Sequence, residues 1–320
     1  MSDEILPVGV VGVGHLGRFH AMKYRDHPQA RLVGVFDADP ERARQVAAEL
    51  GTRAFDDLAA LLREVRAVTV ATPTITHFEV VRQCLEAGVH VLVEKPFTDT
   101  VAQADALIAL QQAKGLVLAV GHLKRLHPAV QHVVGLGLGA PRYIEAERLA
   151  PFKPRSLDVD VIMDLMIHDL DLALHVTQAD WQEVRAVGVA VVTDKLDMAN
   201  AWLTFANGTV ARIAASRVVR EPVRKMRLFW TDRYASIDFL GNNLSIYQRH
   251  GQAAAGPIPG VLAEQVELSD TDVLAREVDA FLQAVRGAPV FCDAQAGRRA
   301  LALAQDVRAA IQRGVAPPAL

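Results

Sequence analysis

Residues 8–17 read Val8-Gly9-Val10-Val11-Gly12-Val13-Gly14-His15-Leu16-Gly17. A short apolar run, typical of a buried β-strand, leads into three spaced glycines, and a helical pattern follows them. In a strand–turn–helix unit of this kind, Gly12 permits the tight turn and Gly14 lets a pyrophosphate approach the main chain. Gly17 lets the helix and the strand pack closely. The stretch therefore predicts a dinucleotide-binding turn.

The pattern that follows this turn predicts a doubly wound parallel sheet. Short apolar runs at residues 31–36, 68–71, 89–93 and 116–120 alternate with helical patterns. Strands that are almost entirely apolar are buried on both faces, which is typical of a parallel sheet covered by helices. We expect residues 1–120 to form a dinucleotide-binding Rossmann domain of the α/β class.

An acidic residue indicates which cofactor this domain binds. Asp37 ends the predicted second strand, where a carboxylate accepts hydrogen bonds from both ribose hydroxyls of a dinucleotide. The same carboxylate repels the 2′-phosphate of NADP, and Ala38 supplies no cation to offset it, so NAD is favoured. Arg42 and Arg44, one turn into the next helix, weaken this preference. The expected cofactor is NAD.

The second part of the chain has a different pattern. From about residue 121 strand-like runs dominate, and Asn207-Gly208 joins two of them, the strongest short signal for a hairpin. Two helical patterns close the chain. We expect residues 121–320 to form a substrate-binding and oligomerisation domain of the α+β class with a large, mostly antiparallel open sheet. The pattern leaves open that the closing helices pack back on the first domain.

Composition excludes several classes of partner. The chain of 320 residues has 34 basic and 37 acidic residues, a net charge of −3, whereas nucleic-acid-binding domains carry a basic face. No apolar run approaches the roughly 18 residues that cross a membrane, and the acidic start Met1–Glu4 is unlike a signal peptide. Two cysteines are too few for a disulfide framework. We expect a cytoplasmic protein that binds neither nucleic acid nor membrane.

Three further segments carry a family resemblance. Thr72-Pro73 with His77 follows the third predicted strand, Glu94-Lys95-Pro96 follows the fourth, and Asp164 precedes His168 by four residues. Together with the glycine turn, these segments resemble the Gfo/Idh/MocA family of nicotinamide-dependent sugar oxidoreductases. The resemblance implies a cis peptide bond before Pro96. It also implies that one sheet face packs against a second copy of the chain, in a homodimer or homotetramer.

The cofactor site is expected at the carboxyl ends of the parallel strands, where open α/β sheets bind their ligands. The first turn of the helix after the glycines adds free N–H groups and partial positive charge for the phosphates. The predicted cofactor-binding residues are Gly12, Gly14, His15, Leu16, Gly17, Asp37, Thr72, Pro73, His77, Glu94 and Lys95.

Lys95, Asp164 and His168 are the predicted catalytic residues. Because Asp164 and His168 are four residues apart, they project from one face of a helix, where the carboxylate orients the imidazole as a general base. Lys95 orients the same substrate hydroxyl, or is itself the base; both assignments stay open. Met166 stands where the family usually has glycine. No third histidine or cysteine lies at ligand spacing nearby, so no metal is expected.

The substrate is expected to carry a diphosphate. Arg148, Phe152, Lys153 and Arg155 lie just before the catalytic segment and supply three cations and an aromatic face, and Arg125 adds a further cation. The segment resembles short family members that oxidise the 3-hydroxyl of UDP-N-acetylglucosamine in lipid A precursor synthesis. The predicted substrate-binding residues are Arg125, Lys153, Arg155, Asp164 and His168.

Two alternatives remain at this point. Other members of the family oxidise inositols and free sugars, and their catalytic residues hardly differ from those of nucleotide-sugar dehydrogenases. A protein of a different class, a sensor that binds NAD without catalysis, would use the same fold. A sensor has no need of Lys95, Asp164 and His168 together, so the presence of all three residues favours an enzyme.

Overall fold

The computed structural model describes residues 5–153, 159–250, 260–270 and 272–314. Its contacts divide the chain into two compact units. The first unit contains the residues up to Leu126 together with Asp272–Leu301, and the second contains His127–Thr271 and the residues from Ala302 onward. The boundary expected after residue 120 thus lies a few residues before the one in the structure, and a late segment of the chain belongs to the first unit.

The first unit contains a six-stranded parallel sheet in the order β3-β2-β1-β4-β5-β6. The chain starts in the middle, at β1, and the strand order reverses between β1 and β4, which is where such sheets bind ligands. The doubly wound α/β prediction is confirmed. The strands are β1 (Leu6–Val11), β2 (Ala30–Phe36), β3 (Arg53–Phe55), β4 (Ala67–Val70), β5 (His90–Val93) and β6 (Leu118–Val120).

Nine α-helices occur within the described ranges, and local signals fix the ends of several. Asp39 accepts two main-chain N–H groups at the start of α2, and Gly51 in a left-handed conformation ends it. The helices are α1 (His15–Asp26), α2 (Pro40–Leu50), α3 (Leu58–Leu62), α4 (Thr74–Glu86), α5 (Val101–Lys114), α6 (Pro128–Gly135), α7 (Ile167–Thr177), α8 (Val273–Val285) and α9 (Ala294–Gln312).

The second unit contains an eight-stranded sheet in the order β14-β13-β12-β11-β7-β10-β9-β8. Every neighbouring pair is antiparallel except β7 and β10, so the predicted mostly antiparallel sheet is confirmed. The strands are β7 (Tyr143–Leu149), β8 (Trp181–Val189), β9 (Met198–Phe205), β10 (Val210–Ser216), β11 (Val223–Phe229), β12 (Arg233–Asp238), β13 (Asn243–Arg249) and β14 (Val261–Val266). Helix α7 packs on β7 and β10.

The structure also contains elements that the sequence pattern does not predict. Strand β3 and helix α3 have three and five residues, too short to show a period. Strand β14 is an edge strand with mostly exposed residues, so it lacks the apolar alternation of a half-buried strand. The loop predicted at residues 251–260 lies almost entirely outside the described residues. Among the described helices, none combines the length and apolar character that a membrane span requires.

Candidate active site

The turn between β1 and α1 leaves room for a ligand at one of its three glycines. Gly12 has a φ of +83°, and a Cβ added there would lie 2.7 Å from the Thr72 side chain. A Cβ on Gly17 would lie 1.8 Å from the Gly12 carbonyl oxygen, so both positions are closed to side chains. A Cβ on Gly14 would meet nothing within 4 Å. The turn therefore presents bare main chain to open space at Gly14.

The start of α1 is suited to an anion. Its N-cap, Gly14, offers no side-chain cap, and the first turn contains no acidic residue. The first N–H groups of a helix have no partner within the helix, and this end carries partial positive charge. His15 and Leu16 occupy this turn and are exposed. Together with the open space at Gly14, this geometry fits the pyrophosphate of a dinucleotide.

Asp37 lies beside the glycine turn, immediately after β2. One carboxylate oxygen accepts the Val13 N–H at 2.8 Å, and the other accepts the Asp39 N–H at 2.9 Å. The Arg42 guanidinium lies 3.4 Å from the same carboxylate and is about half exposed. The structure thus brings Asp37 and the glycines together, as a site for a ribose requires, and places a cation next to them.

His77 holds two segments of main chain. The side chain is buried, and its two ring nitrogens each lie 2.9 Å from a carbonyl oxygen, one of Thr72 and one of Pro96. Burial lowers the pKa of His77 and outweighs the two carbonyls, which raise it. The Lys95–Pro96 peptide bond is cis, as the resemblance implies. His77 therefore links the segment after β4, with Thr72 and Pro73, to the segment that carries Lys95.

Glu94 turns its carboxylate into the interior, while the next residue, Lys95, is half-buried. One oxygen of Glu94 lies 3.0 Å from His20 Nε2, and the other accepts the Lys95 N–H at 3.2 Å. Burial raises the pKa of Glu94, but the hydrogen bond and charge of His20 and the charge of Lys95 outweigh it, and the net shift is downward. His20 is a residue that the sequence analysis missed.

Asp164 and His168 lie at an irregular place in the second unit. Asp164 belongs to a π-helical turn, Ile162–Met166, and His168 follows in the first turn of α7. Both side chains are half-buried. The wider π-helical turn replaces the regular α-helix expected from the spacing, and such turns are frequent at functional sites. The nearby Asp171, on the same helix, is buried.

The predicted cations differ in their surroundings. Arg148 donates two hydrogen bonds to Asp169, at 2.7 and 2.8 Å, and both side chains are buried. The prediction that Arg148 binds a diphosphate is therefore wrong, because its guanidinium is hydrogen-bonded to Asp169 inside the unit. Lys153 is exposed, whereas Arg125 is buried in a 3₁₀ turn of the first unit. Arg155 lies outside the described residues.

Family models match both units. Residues 6–122 match the model described as an oxidoreductase family with an NAD-binding Rossmann fold. Residues 136–235 match the model of the Gfo/Idh/MocA C-terminal domain. These two matches cover the glycine turn, Asp37, Lys95, Asp164 and His168.

Comparison with individual proteins agrees with the family models. The chain is 62% identical to a UDP-N-acetylglucosamine 3-dehydrogenase from Acidithiobacillus ferrooxidans, over 95% of this chain and 96% of that one. A solved structure of that enzyme superposes with a TM-score of 0.93 at 60% identity, covering 98% and 99% of the two chains. An inositol 2-dehydrogenase from Rubrobacter xylanophilus is 36% identical, over 63% of this chain and 60% of that one. The chain belongs to the Gfo/Idh/MocA family of NAD-binding oxidoreductases.

Proposed function

We propose that this protein oxidises the 3-hydroxyl of UDP-N-acetylglucosamine with NAD. The observation that supports this most strongly is the 62% identity, over 95% of the chain, to a dehydrogenase of that name. The inositol 2-dehydrogenase is 36% identical over a shorter part of the chain. Inositol or free-sugar oxidation is therefore the second candidate, and NAD sensing without catalysis is the third.

The first unit is proposed to hold the cofactor. The N–H groups at the start of α1 and the bare main chain at Gly14 would bind the pyrophosphate, and Asp37 would bind a ribose. Thr72, Glu94 and Lys95 follow β4 and β5 at the carboxyl edge of the sheet, where the nicotinamide half is expected. When bound, NAD supplies the acceptor for the hydride that leaves the substrate carbon.

Lys95, Asp164 and His168 are proposed to move the proton of the substrate hydroxyl. Removal of a hydride from a secondary alcohol leaves a carbonyl only if the hydroxyl proton also leaves. We assign His168 as the base that takes this proton and Asp164 as the carboxylate that orients it or the substrate. Lys95 stabilises the oxygen by donating a hydrogen bond to it, and Lys95 as the base is the alternative assignment.

Binding of the uridine diphosphate is assigned to the predicted basic residues Arg125, Lys153 and Arg155. Lys153 is exposed and carries no acidic neighbour in the sequence, and Arg155 follows it two residues later. Arg125 belongs to the first unit and is buried, so its contribution would be directional hydrogen bonds rather than a mobile charge. Arg148 is not part of this proposal because its guanidinium donates hydrogen bonds to Asp169.

We further propose that the second unit forms a homodimer or homotetramer through the face of its sheet. Tyr143, Phe229, Tyr234 and Tyr247 stack in a row across four strands on half-buried positions. Beside this row, Glu145 pairs with two arginines of neighbouring strands. Such a mixture of aromatic and paired charged groups is typical of a protein interface. A sedimentation mass of one chain at micromolar concentration would exclude this oligomer.

The proposed location is the cytoplasm, where NAD and nucleotide sugars are available.

The proposed reaction is tested by the formation of reduced nicotinamide, followed by its absorbance. UDP-N-acetylglucosamine, free N-acetylglucosamine, glucose and myo-inositol are compared at equal concentrations. We expect the highest kcat/KM with the nucleotide sugar. A higher kcat/KM with myo-inositol or a free sugar would favour the second candidate. NAD binding without turnover of any of these compounds would favour the sensor.

A further inference from the structure

A buried cluster of three ionisable side chains lies in the first unit, beneath the segment that carries Lys95. His20 comes from α1, Glu94 follows β5, and Glu277 comes from α8. His20 Nε2 lies 3.0 Å from Glu94 and 3.9 Å from a carboxylate oxygen of Glu277. The side chains of His20 and Glu277 are 0% exposed, and that of Glu94 is 6% exposed. All three side chains are therefore shielded from bulk solvent.

Glu277 has an unusual environment. Neither of its oxygens has a hydrogen-bond partner among the described residues, and the same holds for Nδ1 of His20. An ionised carboxylate in such a place would carry the full penalty of desolvation and would face the negative charge of Glu94. Burial raises the pKa of Glu277 well above its usual range, and the charge of Glu94 raises it further.

Glu277 lies on a helix that packs against α1, which carries a buried tyrosine, and against a 3₁₀ turn. Tyr24, on the same helix as His20, is buried and shares a hydrogen bond with Thr69. The 3₁₀ turn packed against α8 carries Lys124 and Arg125, and His20 lies within 4 Å of both carboxylates of the cluster. His20 lies closer to Glu94 than to Glu277, and the cluster carries one negative charge fewer if Glu277 keeps its proton.

We propose that Glu277 is a positioning residue that acts as a neutral carboxylic acid and, through His20 and Glu94, fixes the main chain of Lys95 for the proposed reaction. Glu94 transmits the effect because its second oxygen accepts the Lys95 N–H. Gly121 leaves room for this carboxylate, since a Cβ there would lie 3.1 Å from that oxygen. Ionisation of Glu277 would repel Glu94 and weaken its hold on Lys95.

A divalent metal ion is the competing explanation. The ligand atoms of the three residues lie within 4.8 Å of one another. However, the 3.0 Å separation of His20 Nε2 and Glu94 is that of a hydrogen bond, and metal bonds of about 2.0–2.2 Å place two ligand atoms of a tetrahedral site farther apart. The geometry therefore favours a hydrogen-bonded cluster over a metal site.

The first test compares wild type with Glu277→Gln, which mimics the neutral acid, by thermal unfolding at several pH values. An unfolded glutamate ionises near pH 4.3, so wild type must keep a proton that its unfolded state has lost, and its stability falls as the pH rises above this value. We expect Glu277→Gln to melt at a higher temperature than wild type, by a margin that grows from pH 6 to pH 8. Glu264→Gln, at an exposed position of β14, is the control and shows no growing margin.

The second test separates positioning from mere stability. With whichever substrate turns over, we expect Glu277→Gln to keep kcat within about threefold of wild type near pH 7, and to retain it at alkaline pH where wild type declines. Glu277→Leu, which removes the polar carboxyl group from beside His20, is expected to lose at least tenfold in kcat with NAD affinity unchanged. Equal loss of kcat in the Gln and Leu variants at every pH would overturn the proposal. A stoichiometric metal in the wild-type protein that is absent from Glu277→Gln would also overturn it.

These tests remain informative if the proposed reaction is wrong. The unfolding experiment needs no substrate and reports the protonation of Glu277 by itself. If the protein turns over no sugar but shows the growing stability margin, the neutral state of Glu277 is supported and the proposed function is wrong. If the protein turns over UDP-N-acetylglucosamine without that margin, the proposed function is supported and the neutral state of Glu277 is wrong.

Discussion

Arg148 and Asp169 form a two-pronged ion pair inside the second unit, with N–O distances of 2.7 and 2.8 Å. Arg148 is on β7, and Asp169 directly follows His168 on α7. Both side chains are less than 5% exposed, so the pair is shielded from water and salt. The pair fixes the helix that carries the proposed base against the sheet.

Breaking this ion pair should destabilise the second unit. Asp169→Asn leaves the Arg148 charge buried without its partner, and loss of one member of a buried pair costs about 3–5 kcal/mol. We expect a loss of this size in the free energy of unfolding, measured with urea. Asp26→Asn removes an ion pair with Arg25 at the surface and is the control. Similar small losses for both variants would show that the buried pair contributes little.

The proposed proton transfer predicts large losses of turnover. Lys95→Met and His168→Asn each keep the approximate shape of the side chain and remove its acid–base function. We expect each to lower kcat at least ~10²-fold, the scale usual for such groups. Binding of NAD, measured by calorimetry, should stay near the wild-type value for His168→Asn. A variant whose kcat stays within a few-fold of wild type removes that residue from the mechanism.

Asp37 predicts the choice of cofactor. Asp37→Asn keeps oxygen and nitrogen atoms near the ribose but removes the charge that repels a 2′-phosphate, and Arg42 already lies 3.4 Å away. We expect the ratio of kcat/KM for NAD to that for NADP to fall about tenfold or more, a change of about 1.4 kcal/mol. The double variant with Arg42→Ala should recover part of the lost ratio. An unchanged ratio in Asp37→Asn would exclude the carboxylate as the determinant.

His77 predicts a pH dependence of stability. Its pKa is lowered in the folded protein, so below the unfolded value of about 6.5 the unfolded chain binds more protons. Its contribution therefore makes stability fall as the pH drops below about 6.5, by up to about 1.4 kcal/mol per pH unit. Urea unfolding between pH 5 and 7.5 measures this slope. We expect a shallower slope in His77→Gln, and equal slopes would contradict the shifted pKa.

The sequence predicts the parts of this fold that depend on local pattern. The glycine turn, Asp37 and the Lys95 segment follow from short motifs whose physical roles are fixed by neighbouring residues. The hairpin at Asn207-Gly208 also follows from a short motif, because its two strands are adjacent in the chain. Gly208 has the left-handed φ of +83° that the turn needs.

Contacts between residues far apart in the chain leave no local pattern in the sequence. The sequence predicts that Arg148 binds a diphosphate because nothing in it indicates that Asp169 pairs with Arg148. Glu277 is far along the chain from His20, and only the return of α8 to the first unit brings them together. One signal was available: Glu277 lies beside Val278 and close to Phe281 on an otherwise apolar helix face, where a lone acid requires an explanation.

Oxidation at C3 is tested with UDP-N-acetylglucosamine carrying deuterium at C3 of the sugar. The reaction is run with unlabelled NAD, and the reduced cofactor is analysed by mass spectrometry. We expect one deuterium in the reduced cofactor and a carbonyl at C3 of the sugar product. Reduced cofactor without deuterium would mean that another carbon is oxidised, and no reduced cofactor at all would contradict the proposed reaction.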